Sequence, residues 1–230
     1  MLEVEDNMSN RYDRLLSLPS FSKEDLKVLQ SKKVLVIGVG GVGQHVATYL
    51  VTNGVECLTI VDFDNVELSN LNRQILLTEE DVGQNKVEVV KTALNAKNND
   101  AEIKTVNVKL DKSNVSEIIS TKYDLVVDAL DNWEGKFLIS DECHKKNIPF
   151  LHIGVDGMSG QYCLFKNKYL NDILSREVVK EKRDGVMGPV VGAISSLATS
   201  DLVRFLLRKD NADIMVSLDM INRTLKTIKL

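Results

Sequence analysis

The stretch that decides the fold runs from Lys33 to Asp64 and reads KVLVIGVGGVGQHVATYLVTNGVECLTIVDFD. Residues 33–38 form an apolar, β-branched run, which is typical of a strand buried on both faces of a parallel sheet. Apolar residues then recur at helical spacing from Val42 to Val51, and an Asn-Gly pair ends the helix. A second apolar strand, CLTIVD, follows. The stretch therefore predicts a strand-helix-strand unit.

Glycines between the first strand and the helix indicate a nucleotide site. Gly38, Gly40 and Gly43 have the spacing of a phosphate-binding turn, where glycine permits the tight turn and the close approach of a phosphate. Gly41 leaves one more backbone N–H uncovered, and the helix N-terminus favours negative charge. Asp62 ends the second strand, where it can accept hydrogen bonds from ribose hydroxyls. These residues do not distinguish ATP from NAD.

The polar segment after the second strand distinguishes an ATP site from an NAD site. A dehydrogenase normally continues quickly into its next helix, whereas residues 63–82 lack clear periodicity and have the length of a functional loop. Arg73 and Lys86 could clamp a triphosphate, although Arg73 could instead pair with an acid of the loop and Lys86 could be solvated. Together with the glycine turn they favour the clamp. The same segment also holds Asp64, Asn70 and Gln74.

Carboxylates near a later strand, LVVD, indicate a magnesium site. Asp128 lies in this strand, and Asp131 and Asn132 lie just beyond its carboxyl end. Mg²⁺ in nucleotide sites uses one or two protein carboxylates and takes its other ligands from phosphate and water. We therefore predict that Asp131 binds Mg²⁺. The alternative is an Asx turn that closes the strand.

Alternating strands and helices along the rest of the chain predict the architecture. We expect an α/β fold with a Rossmann-like, mostly parallel sheet, helices on both faces and an antiparallel C-terminal extension. Residues 1–230 are predicted to form a single domain. Within it, residues 1–31 form an N-terminal helical arm and residues 166–188 form a mobile crossover loop. A segment reading TVNVKL, residues 105–110, is expected to be a strand.

Composition excludes several classes of partner. The chain has 29 Lys and Arg against 33 Asp and Glu, so no global basic field exists to hold nucleic acid or anionic lipid. No signal peptide and no run of 18 apolar residues is visible, so we expect a cytoplasmic protein without a membrane segment. The three cysteines lack paired spacing, which argues against a disulfide framework and against structural zinc.

Six motifs resemble those of one family, in the same order along the chain: RYDR, GVGGVG, VDFDNVELSNLNRQ, DVGQNKVE, LVVDALDN and GPVVG. They are similar to the ThiF/MoeB/HesA family, the bacterial relatives of ubiquitin-activating enzymes, from about residue 11 to residue 230. The resemblance implies a homodimeric adenylyltransferase that uses ATP and Mg²⁺. Its expected substrate is the C-terminal glycine carboxylate of a ubiquitin-like sulfur carrier ending in Gly-Gly, of the thiamine or molybdopterin type.

The resemblance also implies roles for particular residues. Arg14 would reach into the partner subunit's site as an arginine finger. The ATP site would be lined by Gly41, Asp62, Ser69, Asn70, Arg73, Lys86, Asp131 and Asn132. Relatives often have two C-x-x-C zinc pairs, which this chain lacks, and Glu181 stands near the place where some have a reactive cysteine. We therefore expect neither zinc nor a thioester at that position.

Three other functions compete with this interpretation. An NAD-dependent oxidoreductase would use the glycine turn and Asp62 but would leave Arg73, Lys86 and Asp131 without a role. The same site could adenylate a peptide or natural-product precursor, or the chain could be an inactive scaffold. A catalytic histidine is not required, because a peptide carboxylate, with a pKa of about 3.5, is already ionised at neutral pH. His152 is accordingly expected to be a hydrogen-bonded core residue.

Overall fold

The protein's fold is taken from a computed structural model that describes residues 9–177, 185–208 and 212–230. Eight strands within these residues form one sheet, in the order β3-β2-β1-β4-β5-β6-β7-β8. Strands β1 to β5 are parallel, and β6 to β8 continue the sheet as antiparallel neighbours. Their bounds are β1 Lys33–Ile37, β2 Cys57–Val61, β3 Glu102–Val106, β4 Leu125–Asp128, β5 Phe150–Asp156, β6 Ser159–Phe165, β7 Ile214–Asp219 and β8 Thr224–Lys229. The predicted fold class is confirmed.

Helices cover both faces of this sheet. Their bounds are α1 Ser9–Leu16, α2 Lys23–Gln30, α3 Gly41–Thr52, α4 Lys86–Lys97, α5 Val115–Ile118, α6 Trp133–Lys146, α7 Leu170–Ile173 and α8 Gly188–Leu206. Helices α2, α3, α4 and α8 bury apolar side chains against one face, and α5, α6 and α7 do so against the other. Since β1 and β4 are neighbours while β2 lies on the far side of β1, the order of the chain reverses between β1 and β4. Ligands of such sheets bind in the crevice at that point.

Local sequence signals explain where several helices begin and end. A capping box of Ser22 and Asp25 starts α2, as its spacing predicts. Asn132 caps α6, and its side-chain oxygen accepts a hydrogen bond from the Gly135 N–H at 2.8 Å. The left-handed Asn147 ends α6, with a φ of 54°. These caps determine where α6 begins and ends, and the helix packs against β4 and β5.

One predicted strand has different bounds in the structure, and part of the predicted crossover loop contains a helix. Strand β3 is Glu102–Val106 rather than residues 105–110, because its parallel partner β2 ends at Val61, opposite Val106. Residues 166–177 were expected to belong to a mobile loop, but they contain α7 and are tied to the fold. The Asp213 carboxylate accepts hydrogen bonds from the Lys166 N–H at 2.9 Å and from the Asn167 side chain at 2.7 Å. Within the rest of the predicted loop, residues 178–184 and with them Glu181 lie outside the described residues, and Gly188 is already the first residue of α8.

Helix α8 is long and apolar enough to cross a membrane by length and composition. The core helix of a soluble fold meets the same criteria, and 44% of its apolar window is buried inside this structure. It packs against α3 and against the sheet at β5 and β6. Its side chains Val190, Ile194 and Leu202 have no exposed surface. These contacts make α8 part of the core in this structure.

Candidate functional site

The glycine turn between β1 and α3 excludes side chains at two of its positions. A Cβ on Gly43 would lie 1.9 Å from the carbonyl oxygen of Gly38. Gly38 has a φ of +90°, and a Cβ there would meet the Ala129 carbonyl oxygen at 2.7 Å. Gly40 is the N-cap of α3 and offers no side chain to cap it, so the first N–H groups of the helix remain available to an anion. The turn has the form of a phosphate cradle.

Asp62 and Lys86 meet beside this turn. The Asp62 carboxylate accepts the N–H of Val39 at 2.8 Å and the N–H of Asp64 at 2.9 Å. Each of its oxygens retains a second lone pair, so a ribose hydroxyl can still donate to it. Lys86 Nζ lies 2.9 Å from Asp64 Oδ2 and 3.8 Å from Asp62 Oδ1. Because Lys86 is 3% exposed, the interpretation of it as a solvated residue is wrong.

Arg73 approaches the turn from the long loop. Its Nη1 donates hydrogen bonds to the Ser69 carbonyl oxygen and to Asn72 Oδ1, each at 2.9 Å. Arg73 does not form an ion pair with an acid of the loop within the described part of the chain. Its Cγ would lie 3.2 Å from a Cβ placed on Gly41, so glycine at that position lets the Arg73 side chain lie against the turn. The first part of the Arg73 side chain therefore lies against the N-terminus of α3, while its guanidinium is held by Ser69 and Asn72 of the loop.

Two of the remaining loop residues of the predicted site, Ser69 and Asn70, form hydrogen bonds within the loop. Asn70 Oδ1 accepts the Glu67 N–H at 3.1 Å, and the Ser69 hydroxyl donates to Glu67 Oε2 at the same distance. These contacts close a short 3₁₀ helix, Leu68–Asn70. Gln74 is buried, and its Nε2 would be 3.9 Å from a Cβ on Gly40. The structure thus brings this part of the loop against the glycine turn.

Gln44 joins the loop to the turn and was missed in the sequence analysis. It is fully buried, and its Nε2 donates to the Val39 carbonyl oxygen at 3.0 Å and to Gln74 Oε1 at 3.1 Å. Its Oε1 accepts the Leu76 N–H at 3.0 Å. A glutamine directly after the glycines, within an otherwise apolar helical run, was the available signal. A buried amide needs partners, and the loop supplies them.

The end of β4 completes the same site. Leu130 packs on the glycine turn, and its Cδ2 would lie 3.2 Å from a Cβ on Gly38. The next residue, Asp131, is therefore held beside the turn with an exposed side chain. The Asx turn of the alternative is present, but Asp128 forms it, because Asp128 Oδ1 accepts the Leu130 N–H at 3.2 Å. Asn132 caps α6, and the Asp131 carboxylate has only a 3.5 Å hydrogen bond from Asn132 Nδ2. Among the residues that the structure describes, no group of three or more His, Cys, Asp or Glu could hold a metal ion, so Asp131 would share Mg²⁺ with phosphate and water.

Arg14 does not join the other predicted residues. Helix α1 is fixed by Tyr12, which is 4% exposed and accepts a hydrogen bond from Asn98 Nδ2 at 3.2 Å. Tyr12 also lies next to Gly54, just beyond the C-terminal end of α3. The glycine turn is at the other end of this 12-residue helix, which is about 18 Å long at 1.5 Å per residue. Arg14 is exposed there, so any catalytic role requires the site of another subunit.

A buried charged cluster under the end of β4 was also missed. Asp128 and His152 have no exposed surface, and His152 Nδ1 lies 2.7 Å from Asp128 Oδ2. Lys136 Nζ lies 3.2 Å from the same carboxylate oxygen and donates to the Ile153 carbonyl oxygen at 2.8 Å. Asp128 Oδ1 accepts the Leu130 N–H at 3.2 Å, which turns the chain toward the site. A lysine four residues into α6 was the weak signal of this pairing.

The cluster sets the protonation of its members. Burial would raise the pKa of Asp128, but the Lys136 ammonium and the hydrogen bond from His152 outweigh it and lower that pKa. Burial lowers the pKa of His152, Lys136 lowers it further, and the Asp128 carboxylate only partly opposes them. Asp128 is therefore ionised and His152 is neutral near pH 7. The expectation that His152 is a hydrogen-bonded core residue is confirmed for Nδ1, whereas its Nε2 has no partner among the described residues.

Comparison with known proteins assigns the family. Residues 12–230 match the ThiF family. The chain belongs to the ThiF family. It is 30% identical to the molybdopterin-synthase adenylyltransferase of Haemophilus influenzae, over 100% of this chain and 98% of that protein. It is 32% identical to the Escherichia coli enzyme of the same name, over 90% of this chain and 85% of that protein. The resemblance and the adenylyltransferase class predicted from the motifs are confirmed.

One further relative of this ThiF family chain and two solved structures extend the comparison. The SAMP-activating enzyme E1 of Haloferax volcanii is 30% identical, over 92% of this chain and 80% of that protein. The crystal structure of E. coli MccB has a TM-score of 0.86 and 21% identity, and the match covers 97% of this chain and 70% of that chain. A structure of selenomethionine-labelled PaaA has a TM-score of 0.81 and 22% identity, and the match covers 99% of this chain and 74% of that chain. These two structures support the fold alone.

Proposed function

We propose that this ThiF family chain adenylates the C-terminal glycine carboxylate of a small ubiquitin-like sulfur carrier. The single observation that carries the proposal is the pair of cations at the glycine turn. Arg73 lies against Gly41, and Lys86 lies beside Asp62, so positive charge flanks the place where the phosphates of a nucleotide would lie. A hydride-transferring enzyme has no use for this pair. The names of the molybdopterin-synthase and SAMP-activating relatives support a protein substrate of this class.

The proposed reaction is attack of the carrier's carboxylate on the α-phosphorus of ATP. A C–O–P bond forms to give the acyl adenylate, and the bond to pyrophosphate breaks. The carboxylate is already ionised, so no general base is needed. The site must instead relieve the repulsion between two anions and neutralise the leaving pyrophosphate. In the proposal these tasks fall to Arg73, to Lys86 and to the N-terminus of α3, and the contacts of Lys86 and the free first turn of α3 support it.

A magnesium ion fits the residues beside the turn. Asp131 offers an exposed carboxylate at the edge of the site, where a nucleotide's phosphates would provide further oxygen ligands. When bound there, Mg²⁺ would neutralise phosphate charge. The chain's own part is to hold Asp131 next to the turn, through Leu130 on Gly38 and through Asn132 as the cap of α6.

We include a homodimer in the proposal because Arg14 lies far from the glycine turn of its own chain. In a symmetric dimer the partner's Arg14 could reach the phosphates and add a third cation. A cytoplasmic location, expected from the sequence, also remains part of the proposal.

The proposal is tested by pyrophosphate exchange into ATP. The purified chain would be supplied with ATP, Mg²⁺ and a ubiquitin-like carrier ending in Gly-Gly. We expect exchange that depends on this carrier and is lost when its last glycine is removed. A carrier blocked as the C-terminal amide is the matched control, since it lacks only the nucleophile. Exchange with short peptide precursors but with no carrier would favour the natural-product alternative, and no exchange with any carboxylate would contradict both.

A further inference from the structure

His152 has an enclosed hydrogen-bonding atom that the fold leaves unused. Its Nδ1 is bound to Asp128 at 2.7 Å, but its Nε2 is buried and has no hydrogen-bond partner among the described residues. Leaving such an atom unpaired costs free energy, commonly about 1–3 kcal/mol. Unpartnered buried groups are uncommon in folded proteins and call for an explanation.

The chemistry of this atom is determined by its neighbours. Asp128 is ionised and can only accept hydrogen bonds, so His152 Nδ1 must carry the proton and donate it. The pKa of His152 is lowered by burial and by Lys136, so the ring is neutral. Nε2 is therefore an acceptor. Its ligand must donate a hydrogen bond, which excludes phosphates and carboxylates.

The position of His152 in the sheet points to the second substrate rather than to the nucleotide. The glycine turn, Asp62 and Asp131 follow β1, β2 and β4, whereas His152 is in β5, on the opposite side of β4 from β1. Neighbouring strands are about 4.8 Å apart, so β5 lies about 10 Å from β1. A nucleotide bound over β2, β1 and β4 does not cover the surface over β5 and β6. That surface is therefore open to the second substrate, whose carboxylate attacks the α-phosphorus of the nucleotide.

The surface next to His152 suits an extended backbone without side chains. Gly154 is two residues along the same strand, so its missing side chain would lie on the same face. A Cβ on Gly154 would make ordinary van der Waals contacts, 3.7 Å from Gln161 Cγ, 3.8 Å from His152 Nε2 and 3.9 Å from Gln161 Nε2. Because Gly154 lacks this carbon, the space of one methyl group lies between His152 Nε2 and the Gln161 side chain on β6. A Gly-Gly backbone has N–H donors and needs room of this kind.

We propose that His152 Nε2 accepts a hydrogen bond from a backbone N–H in the C-terminal Gly-Gly tail of the substrate. This inference rests on the proposed function and identifies a specificity-determining residue for it. The Asp128 carboxylate fixes the ring so that the acceptor faces the tail, and Gly154 provides the space. Because Nε2 has no exposed surface, a neighbouring group moves when the tail binds.

Trp133 is the neighbour best placed to move. It is the first residue of α6, directly after Asp131 and Asn132, and its half-buried ring lies 5.9 Å from the ring of His152. It is also the chain's single tryptophan, so intrinsic emission reports on this position alone. We expect emission to change when a Gly-Gly carrier is added to the chain and a non-hydrolysable ATP analogue, and not with the analogue alone. An unchanged emission would contradict the movement of Trp133.

The deciding experiment removes one N–H donor at a time from the tail. Semisynthetic carriers would have an ester in place of each of the last amides in turn, and kcat/KM for pyrophosphate exchange would be measured with each. In the unsubstituted enzyme we expect that one carrier of the series has a kcat/KM about 3- to 10-fold lower than the all-amide carrier. A decrease of this size corresponds to the loss of one hydrogen bond. In His152→Asn, whose amide keeps the contact with Asp128, the same ester should cost less than about 2-fold.

Two further variants make the result specific. Gly154→Ala keeps His152 but places a methyl group beside its acceptor, and it should also remove the ester's penalty. His144→Asn makes the same replacement at an exposed position of α6 and should retain the full penalty. Equal ester penalties in the unsubstituted enzyme, His152→Asn and Gly154→Ala would overturn the inference while exchange itself upholds the proposed function. Absence of exchange from the unsubstituted enzyme with every carrier would overturn both.

Discussion

Lys86 Nζ lies 2.9 Å from Asp64 Oδ2, with 3% of the lysine exposed, so the cation beside the glycine turn is held in place before any nucleotide arrives. A lysine fixed in this way loses little conformational entropy when a phosphate binds. It must, however, share its charge between the phosphate and two carboxylates, since Asp62 Oδ1 is 3.8 Å away.

Replacing Lys86 tests this arrangement. Lys86→Met should abolish carrier-dependent pyrophosphate exchange, because the phosphates lose a fixed cation. It should also lower the free energy of unfolding by about 1–3 kcal/mol, because Asp62 and Asp64 lose their partner. Exchange and urea unfolding are the two measurements. Lys97→Met, at an exposed position of the same helix, is the matched control and should change neither. Exchange within a few fold of normal in Lys86→Met would contradict the clamp.

Mixing subunits tests whether Arg14 acts across a dimer. Arg14→Ala and Arg73→Ala should each abolish exchange while the chain still folds, since Arg14 is exposed and Arg73 is only half-buried. When the two inactive proteins are unfolded together and refolded, half of the dimers contain one copy of each, and one of their two sites has both arginines. About a quarter of normal activity should therefore return. No recovery, with mixed dimers demonstrated by mass, would place Arg14 outside the partner's site.

Replacing Gly43 tests whether the glycine turn requires the close contact between Gly43 and the Gly38 carbonyl oxygen. In Gly43→Ala the added Cβ meets the Gly38 carbonyl oxygen at 1.9 Å, so the turn has to open. We expect exchange to be lost and the free energy of unfolding to fall by about 3 kcal/mol. Gly185→Ala adds the same methyl group where no atom of the described residues lies within 4 Å, and it should behave like the unsubstituted chain. A stable and active Gly43→Ala would mean that the turn does not need this packing.

The neutral His152 predicts a dependence of stability on pH. Its folded pKa is lowered from the ordinary value of 6.5, mainly by burial, so the unfolded chain binds this proton more readily. Its contribution to stability is present above that value and is lost as the pH falls toward the folded pKa. The lowered pKa of Asp128 acts separately, below its ordinary value of 3.8. The Tm should thus fall more between about pH 7 and pH 5 in the unsubstituted chain than in His152→Asn. Parallel curves would contradict a neutral, buried imidazole.

Sequence patterns predicted the local elements well because their causes are local. The apolar run of β1, the glycines after it and the helical spacing of α3 follow from properties of consecutive residues. Strand β3 was misplaced because its end is determined by the end of its partner β2, which lies far away in the sequence. The hydrogen bonds that Lys166 and Asn167 donate to Asp213, just before β7, were not visible in the sequence for a related reason.

What the sequence determined by itself was the order of elements, the nucleotide turn and the residues that belong to this family. Glycine spacing and strand ends encode these features directly, since the chemistry requires particular residues at particular local positions. What only the tertiary structure decided was which polar groups meet. The ion pairs of Lys86, the separation of Arg14 from its own turn and the pairing of Asp128 with His152 and Lys136 all depend on how distant segments pack. The buried Nε2 of His152, which has no hydrogen-bond partner among the described residues, is also visible only there, because its burial results from the packing of distant segments.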